Sequence, residues 1–321
     1  VKSRIILFPT VMGNGAFSLI DKYAHFLYML VNQLGFKLMF CVGDVPEGIL
    51  TGGEYVDDVE VVFTFKSPLN WNAKSLKSIC DIDKKIKVIS FFSDFYPTTK
   101  TFLGVIQRTL DRVDAFLSPS VYCVNKFWYH WKEKYSYFPQ FFGSYERYAN
   151  LPFNEDPVMK CCFSGRYQHN AYPIRQQFLE LLFNDLNSEK YFHFMHYYIL
   201  SKSHYRGDFY AKELHKYFCN LTASTRQKYV VGKYLEVPAT GSLLLAEKLS
   251  YFEDMGFKPD THYIPVTPLN VLDKIKECLA HPEDYTEIRK RARKLALTKY
   301  SVNNRFAQFK TILKNLKIGD I

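Results

Sequence analysis

With 321 residues, 47% of them apolar and 23% charged, the chain is long enough for two cores of ordinary size and too apolar to be disordered. A formal net charge of +10 favours anionic partners: nucleotide diphosphates, nucleic acid or acidic lipid headgroups. The seven cysteines are scattered and form no C-x-x-C pair, which argues for reduced, buried thiols in a cytoplasmic setting.

Residues 4–9 (RIILFP) are a short β-rich run closed by proline, and residues 10–15 (TVMGNG) are a turn-rich loop before helical apolar spacing over 17–34. No signal peptide is expected, because the first four residues lead directly into this strand. Strand, glycine loop and helix open an α/β domain. Residues 37–42, 59–65, 87–92 and 114–118 read as further strands, with 44–53 as a loop. Apolar strand runs alternating with helices predict a parallel sheet covered on both faces. The pattern changes over 137–157 (YFPQFFGSYERYANLPFNEDP), rich in Pro, Gly and aromatic residues and without a period; this segment is expected to connect two domains. A second α/β series follows, with strand 160–163, helix 174–183, strand 191–195 and helix 210–217. The apolar stretch 191–200 is interrupted by His193 and His196 and is far below the ~20 residues that span a bilayer, so no transmembrane segment is expected. Residues 233–247 (KYLEVPATGSLLLAE) carry the most information: a helix bearing Glu236, a break at Thr240-Gly241-Ser242 where glycine permits a positive φ, and a fully buried strand. Residues 284–316 read as helical, with a bend near 300–304.

A carboxylate held just before such a turn can grip a ribose diol while nearby backbone N–H groups face a diphosphate. The unit resembles the donor segment of GT-B glycosyltransferases, in which a Glu followed by A-x-G and an apolar strand lies in the C-terminal domain. The text after it, MGFKPDTHYIPV and then the helical run to residue 309, is similar to that family's closing helices. The resemblance is strongest over 162–309 and only topological over the first half. It implies an α/β protein of the GT-B type, two Rossmann-like domains facing each other across a cleft. The acceptor domain is expected at 1–153, the nucleotide-sugar domain at 154–298, and a helix at 299–321 returning to the first. The implied reaction moves a sugar from a UDP- or GDP-sugar to a hydroxyl of a glycan, glycoprotein or other acceptor.

Such a transfer needs a grip on the nucleotide, positive charge or N–H donors on the leaving diphosphate, and a base for the acceptor hydroxyl. Glu236 is the candidate for the nucleotide, with Thr240, Gly241 and Ser242 beside it. For the diphosphate, CFSGRYQHNAYPIR places Gly165 and Arg166 after the first strand of the second domain and Arg175 at the start of the next helix; Arg226 and Lys233 precede Glu236. In many relatives the cation before this Glu is an Arg, so Lys233 gives a point charge in place of a fork. Relatives with an E-x7-E pattern have a second Glu eight positions earlier, where this chain has Lys228; the departure speaks against a retaining mechanism of that type. For the base, KVISFFSDFYP puts Asp94 just beyond a buried strand, and the segment resembles the strand-end Asp of inverting phage DNA β-glucosyltransferases. Inversion with Asp94 as base follows as the expectation; an Asp capping the following turn is the alternative. Gly13, Asn14 and Gly15 allow close backbone approach to sugar or acceptor, but no G-x-G-x-x-G fingerprint is present.

No cofactor and no metal are expected, the cations and N–H groups offsetting the diphosphate charge. His193, His196, His204 and His215 have no completing carboxylate and read as core or surface histidines. RKRARK at 289–294 reads as a solvated helix face that can also dock an anionic membrane or nucleic acid. Trp128, Tyr129 and Trp131 read equally as an acceptor platform or as a helix packed on its aromatic face. Two other functions stay open: a DNA-modifying glucosyltransferase, and a binding module that kept the fold and lost the chemistry.

Overall fold

The computed structural model describes residues 2–10, 15–42, 58–65, 82–92, 100–139, 145–165, 167, 171–195 and 208–319. The chain divides into two compact units, one formed by Val1–Gly143 with Val302–Ile321 and the other by Ser144–Ser301.

The first unit is built on β1 (Ser3–Thr10), β2 (Phe36–Val42), β3 (Val59–Phe65), β4 (Lys87–Phe91), β5 (Ala115–Ser118) and β6 (Tyr135–Tyr137). All six are parallel, in the order β2-β1-β3-β4-β5-β6. Val61, Val62, Phe63, Val88 and Ile89 are completely buried, the signature of strands covered on both faces. Helices α1 (Gly15–Leu34), α2 (Lys100–Arg112) and α3 (Val121–Phe127) belong to this unit. So does α12 (Val302–Asn315), the last helix, where the Phe309 ring lies 4.8 Å from Phe63 and 5.8 Å from Phe26. Gln308 Nε2 donates to the Tyr137 carbonyl at 2.9 Å, so polar as well as apolar contacts hold this helix to the sheet.

The second unit has β7 (Val158–Ser164), β8 (Phe192–Met195), β9 (Tyr217–Thr222), β10 (Leu243–Ala246) and β11 (Ile264–Pro265), again all parallel, in the order β11-β10-β9-β7-β8. Its helices are α4 (Tyr145–Ala149), α5 (Pro173–Asn184), α6 (Ser188–Tyr191), α7 (Asp208–Lys216), α8 (Lys233–Thr240), α9 (Ser250–Asp254), α10 (Val271–Ala280) and α11 (Thr286–Lys299). In each sheet the chain steps to one side of its first strand and then crosses to the other. The reversal falls between β1 and β3 and between β7 and β9, where loops leaving the strand ends diverge and open sheets bind ligands.

One expectation changes. Ser144–Phe153, placed by sequence at the end of the first domain, lies in the second unit. Its residues are anchored in different ways, which leaves no period: Tyr148 is buried, Pro152 O accepts from His215 Nε2 at 2.9 Å, Leu151 O accepts from Arg293, and Tyr145 Oη donates to Leu297 O at 2.8 Å. The long terminal helix is two, α11 and α12, separated at Tyr300-Ser301, where Tyr300 Oη donates to Met255 O at 2.7 Å.

Candidate functional site

The residues that gather at the second unit's topological reversal come from four stretches of sequence. β7 ends at Ser164, and Gly165 turns the chain at φ +98°, a region L side chains rarely adopt. A Cβ at Gly165 would stand 3.1 Å from Lys233 Nζ, a tight contact, and 3.9 Å from an Arg175 guanidinium nitrogen, so the bare glycine leaves room for the lysine ammonium. Arg175 enters from the first turn of α5; it is 4% exposed, its Nε donates to Ala223 O at 2.8 Å, and its guanidinium lies 4.2 Å from the Tyr172 ring centre. Together with the Arg226 N–H donated to Ala171 O at 2.9 Å, this bond ties the loop after β7 to the loop after β9, across the reversal. Burial pulls the Arg175 pKa down, yet a guanidinium keeps its proton at any working pH.

Helix α8 supplies Lys233 and Glu236. Gly232 precedes it, and a Cβ there would meet Glu236 Oε1 at 2.9 Å; the carboxylate folds back over the helix N-terminus, where the macrodipole favours negative charge. Lys233 Nζ donates to Tyr210 Oη at 2.7 Å, and Tyr210 Oη lies 3.1 Å from Ser164 Oγ. Burial first, then the Glu236 charge, push the Tyr210 phenol well above its ordinary pKa. Two cations thus stand against the Gly165 turn, one of them bonded to the half-buried Tyr210 phenol, and the Glu236 carboxylate lies over Gly232.

Gly165, Arg175, Lys233 and Glu236 are brought together as a group. Arg226 is an exposed residue of the loop after β9. Thr240, Gly241 and Ser242 are not part of the group: they stand at the other end of α8, about 12 Å away at 1.5 Å per residue. Thr240 Oγ1 donates to Val237 O at 2.7 Å, and Ser242 Oγ is within 2.8 Å of both Leu214 O and Tyr217 O, so both hydroxyls are used on the protein's own backbone. Gly241, at φ +82°, is the left-handed cap of α8; a Cβ there would stand 2.9 Å from the Phe153 ring. Gly15 opens α1, whereas Gly13, Asn14, Asp94, Arg166, His196 and His204 lie outside the described residues. Lys228, at φ +53°, pairs with Glu247, whose Oε2 also accepts from Ser224 Oγ at 2.7 Å. The cation at the E-x7-E position is therefore matched by a carboxylate from the end of β10.

The 289–294 run is not uniformly a solvated face. Arg289 is 4% exposed: its Nε donates to Gly241 O at 2.8 Å, a terminal nitrogen donates to Asn154 O at 2.6 Å, and its guanidinium lies over the Phe153 ring. Arg293 donates to Ala239 O at 3.0 Å. Helix ends leave carbonyls without intrahelical donors, and these arginines fill that need for α8, while Lys290, Arg291 and Lys294 stay exposed. Arg289→Met is expected to lower stability by about 2 kcal/mol, the scale for carbonyls left unsatisfied in a protein interior, read as a fall in urea midpoint at constant m. An unchanged midpoint would show that the two bonds contribute nothing.

His193 stacks on Tyr217 with ring centres 5.0 Å apart, and Trp131 Nε1 donates to Asp111 at 2.8 Å while Trp128 is buried in the first unit's core. No group of three or more His, Cys, Asp or Glu among the described residues is placed to hold a metal. No described helix is long and apolar enough to cross a membrane. The sequence reading missed Tyr210, Ser164 and Gly232: a tyrosine among 24 carries no local mark, and only tertiary packing sets it against Lys233.

A family model described as Glycosyl transferase-like matches residues 178–311, a span that contains all of α8 and β10. No curated protein matches the chain. Among solved structures, an alpha-glucosyltransferase in complex with UDP and a 13-mer DNA containing a HMU base gives a TM-score of 0.64 at 12% identity, covering 97% of this chain and 100% of that one. A glycosyltransferase from Rickettsia africae gives 0.61 at 13%, with 99% and 100% covered. Anabaena Alr3699/HepE in complex with UDP gives 0.61 at 11%, with 97% and 100% covered. Two doubly wound parallel sheets of this form are the GT-B fold. The chain thus has the fold of GT-B glycosyltransferases, and its matched segment is glycosyl transferase-like.

Proposed function

We propose that the protein transfers a sugar from a UDP- or GDP-sugar to a hydroxyl acceptor such as a glycan, without a metal, with the donor held by the second unit. The observation that carries this reading is the Gly165 turn, with Lys233 and Arg175 against it and Glu236 one helical turn beyond Lys233 on α8. Glu236 accepts hydrogen bonds from the two ribose hydroxyls. Lys233 and Arg175 face the diphosphate, with Arg166 and Arg226 as further candidate contacts.

The acceptor oxygen attacks the anomeric carbon as the bond from that carbon to the β-phosphate oxygen breaks. The electron pair leaves with the diphosphate, where the cations stabilise the growing charge, and Asp94 takes the acceptor's proton. This in-line displacement inverts the anomeric centre. A product that keeps the donor's configuration, read by proton NMR, would remove Asp94 from the role of base.

The reading is tested by a thermal-shift screen against UDP-, GDP-, ADP- and dTDP-sugars with and without Mg²⁺. One ligand-specific rise in Tm that is indifferent to EDTA is expected; no shift with any of the four sinks the donor assignment.

A second reading, glucosyl transfer to DNA, is favoured by the +10 charge and by the DNA bound in the alpha-glucosyltransferase structure. It predicts duplex binding that weakens steeply with salt, because each phosphate contact releases counterions. A gel shift that is absent or flat from 50 to 200 mM salt, roughly the range over which such contacts lose their strength, dismisses it.

A further inference from the structure

We propose that Tyr210 is the positioning residue of the diphosphate site, holding the Lys233 ammonium at the Gly165 turn through its phenolic oxygen. The inference rests on the donor reading above.

An ammonium has donors and no acceptor, so in the 2.7 Å contact Lys233 Nζ donates and Tyr210 Oη accepts. The single phenolic proton is then available to Ser164 Oγ, 3.1 Å away at the end of β7. Lys233 on α8, Tyr210 on α7 and Ser164 on β7 form one chain of polar groups anchored to the sheet. The phenol's raised pKa keeps that proton in place at neutral pH.

The Tyr210 ring supports the ammonium as well as its hydroxyl, with Nζ 5.2 Å from the ring centre. A lysine is a point charge on a flexible stem, and ordering it on binding costs rotamer entropy. Fixed in advance beside Gly165, the ammonium meets a phosphate oxygen with little further ordering, the usual gain of preorganisation. Glycine at 165 is part of the arrangement, since any Cβ there would crowd Nζ at 3.1 Å.

The test is a double-mutant cycle read by calorimetry, with whichever of UDP or GDP the wild type binds and with the matching nucleoside. Tyr210→Phe keeps the ring and removes only the hydroxyl. Its Kd for the nucleotide is expected to rise about five- to tenfold, while nucleoside affinity stays within about twofold because no phosphate is present. In a Lys233→Met background the same change is expected to alter nucleotide Kd by less than about twofold, since its effect passes through the ammonium.

A Tyr210→Phe effect that persists undiminished without Lys233 overturns the inference, as does a parallel loss of nucleotide and nucleoside binding with a lower Tm, which is the pattern of a purely structural tyrosine. Unchanged nucleotide binding in Tyr210→Phe removes the role of Tyr210 alone. A wild type that binds neither nucleotide overturns the donor reading, and this inference with it.

Discussion

Glu236→Ala is expected to raise the donor Kd between about tenfold and a hundredfold while leaving the fold intact. Hydrogen bonds to a charged group are worth about 1.5–3 kcal/mol, and 1.4 kcal/mol is a factor of ten in Kd. The carboxylate lies over Gly232 at the start of α8, a half-exposed position where a ribose diol can donate to both of its oxygens. Its loss costs the fold little, because a charge at a helix N-terminus contributes about 0.3–1 kcal/mol. Isothermal calorimetry with UDP and with the UDP-sugar separates the outcomes. An unchanged Kd removes Glu236 from the site, whereas a weaker Kd that is restored by Asp, but not by Gln, supports a charged ribose clamp.

Asp94→Asn is expected to lower kcat by about 10²- to 10⁴-fold, the usual contribution of a general base, with donor Kd within about twofold of wild type. The amide keeps the size and one acceptor of the carboxylate but cannot take a proton. The expectation follows from β4, a buried parallel strand whose carboxyl end leads to residue 94, the end at which open α/β sheets meet ligands. A turn-capping role predicts the opposite pattern: a lower Tm, since losing a cap costs about 1 kcal/mol, with turnover largely kept. Slow donor hydrolysis by the wild type that survives unchanged in Asp94→Asn would also count against the base. Both variants speak to the binding-module alternative, since a chain without chemistry shows the first effect and not the second.

Much of the second unit could be read directly from its residues. KYLEVPATGSLLLAE forms the helix, left-handed glycine cap and buried strand that its spacing predicts, because each of these depends on local backbone preference and on a short apolar run. The β-strands of the first unit at 59–65 and 87–91 are legible for the same reason: parallel strands buried on both faces are mostly apolar runs. Sequence is less informative where a residue type carries two meanings. Thr240 and Ser242 have the chemistry of phosphate ligands but bond to carbonyls at the far end of α8. Arg289 and Arg293 have the look of a solvated charge run but cap that helix from a distant one.

The sequence by itself determined the α/β alternation, the Glu236 helix and the glycine turns, all set by interactions among near neighbours in the chain. Only tertiary structure decided that Ser164, Tyr210 and Lys233 form one polar chain, and that Arg175 at the start of α5 holds the loop after β9. These contacts join residues tens of positions apart, and a hydrogen bond between side chains leaves no period or spacing in the sequence when its partners are brought together by the register of a sheet and the packing of two helices on it.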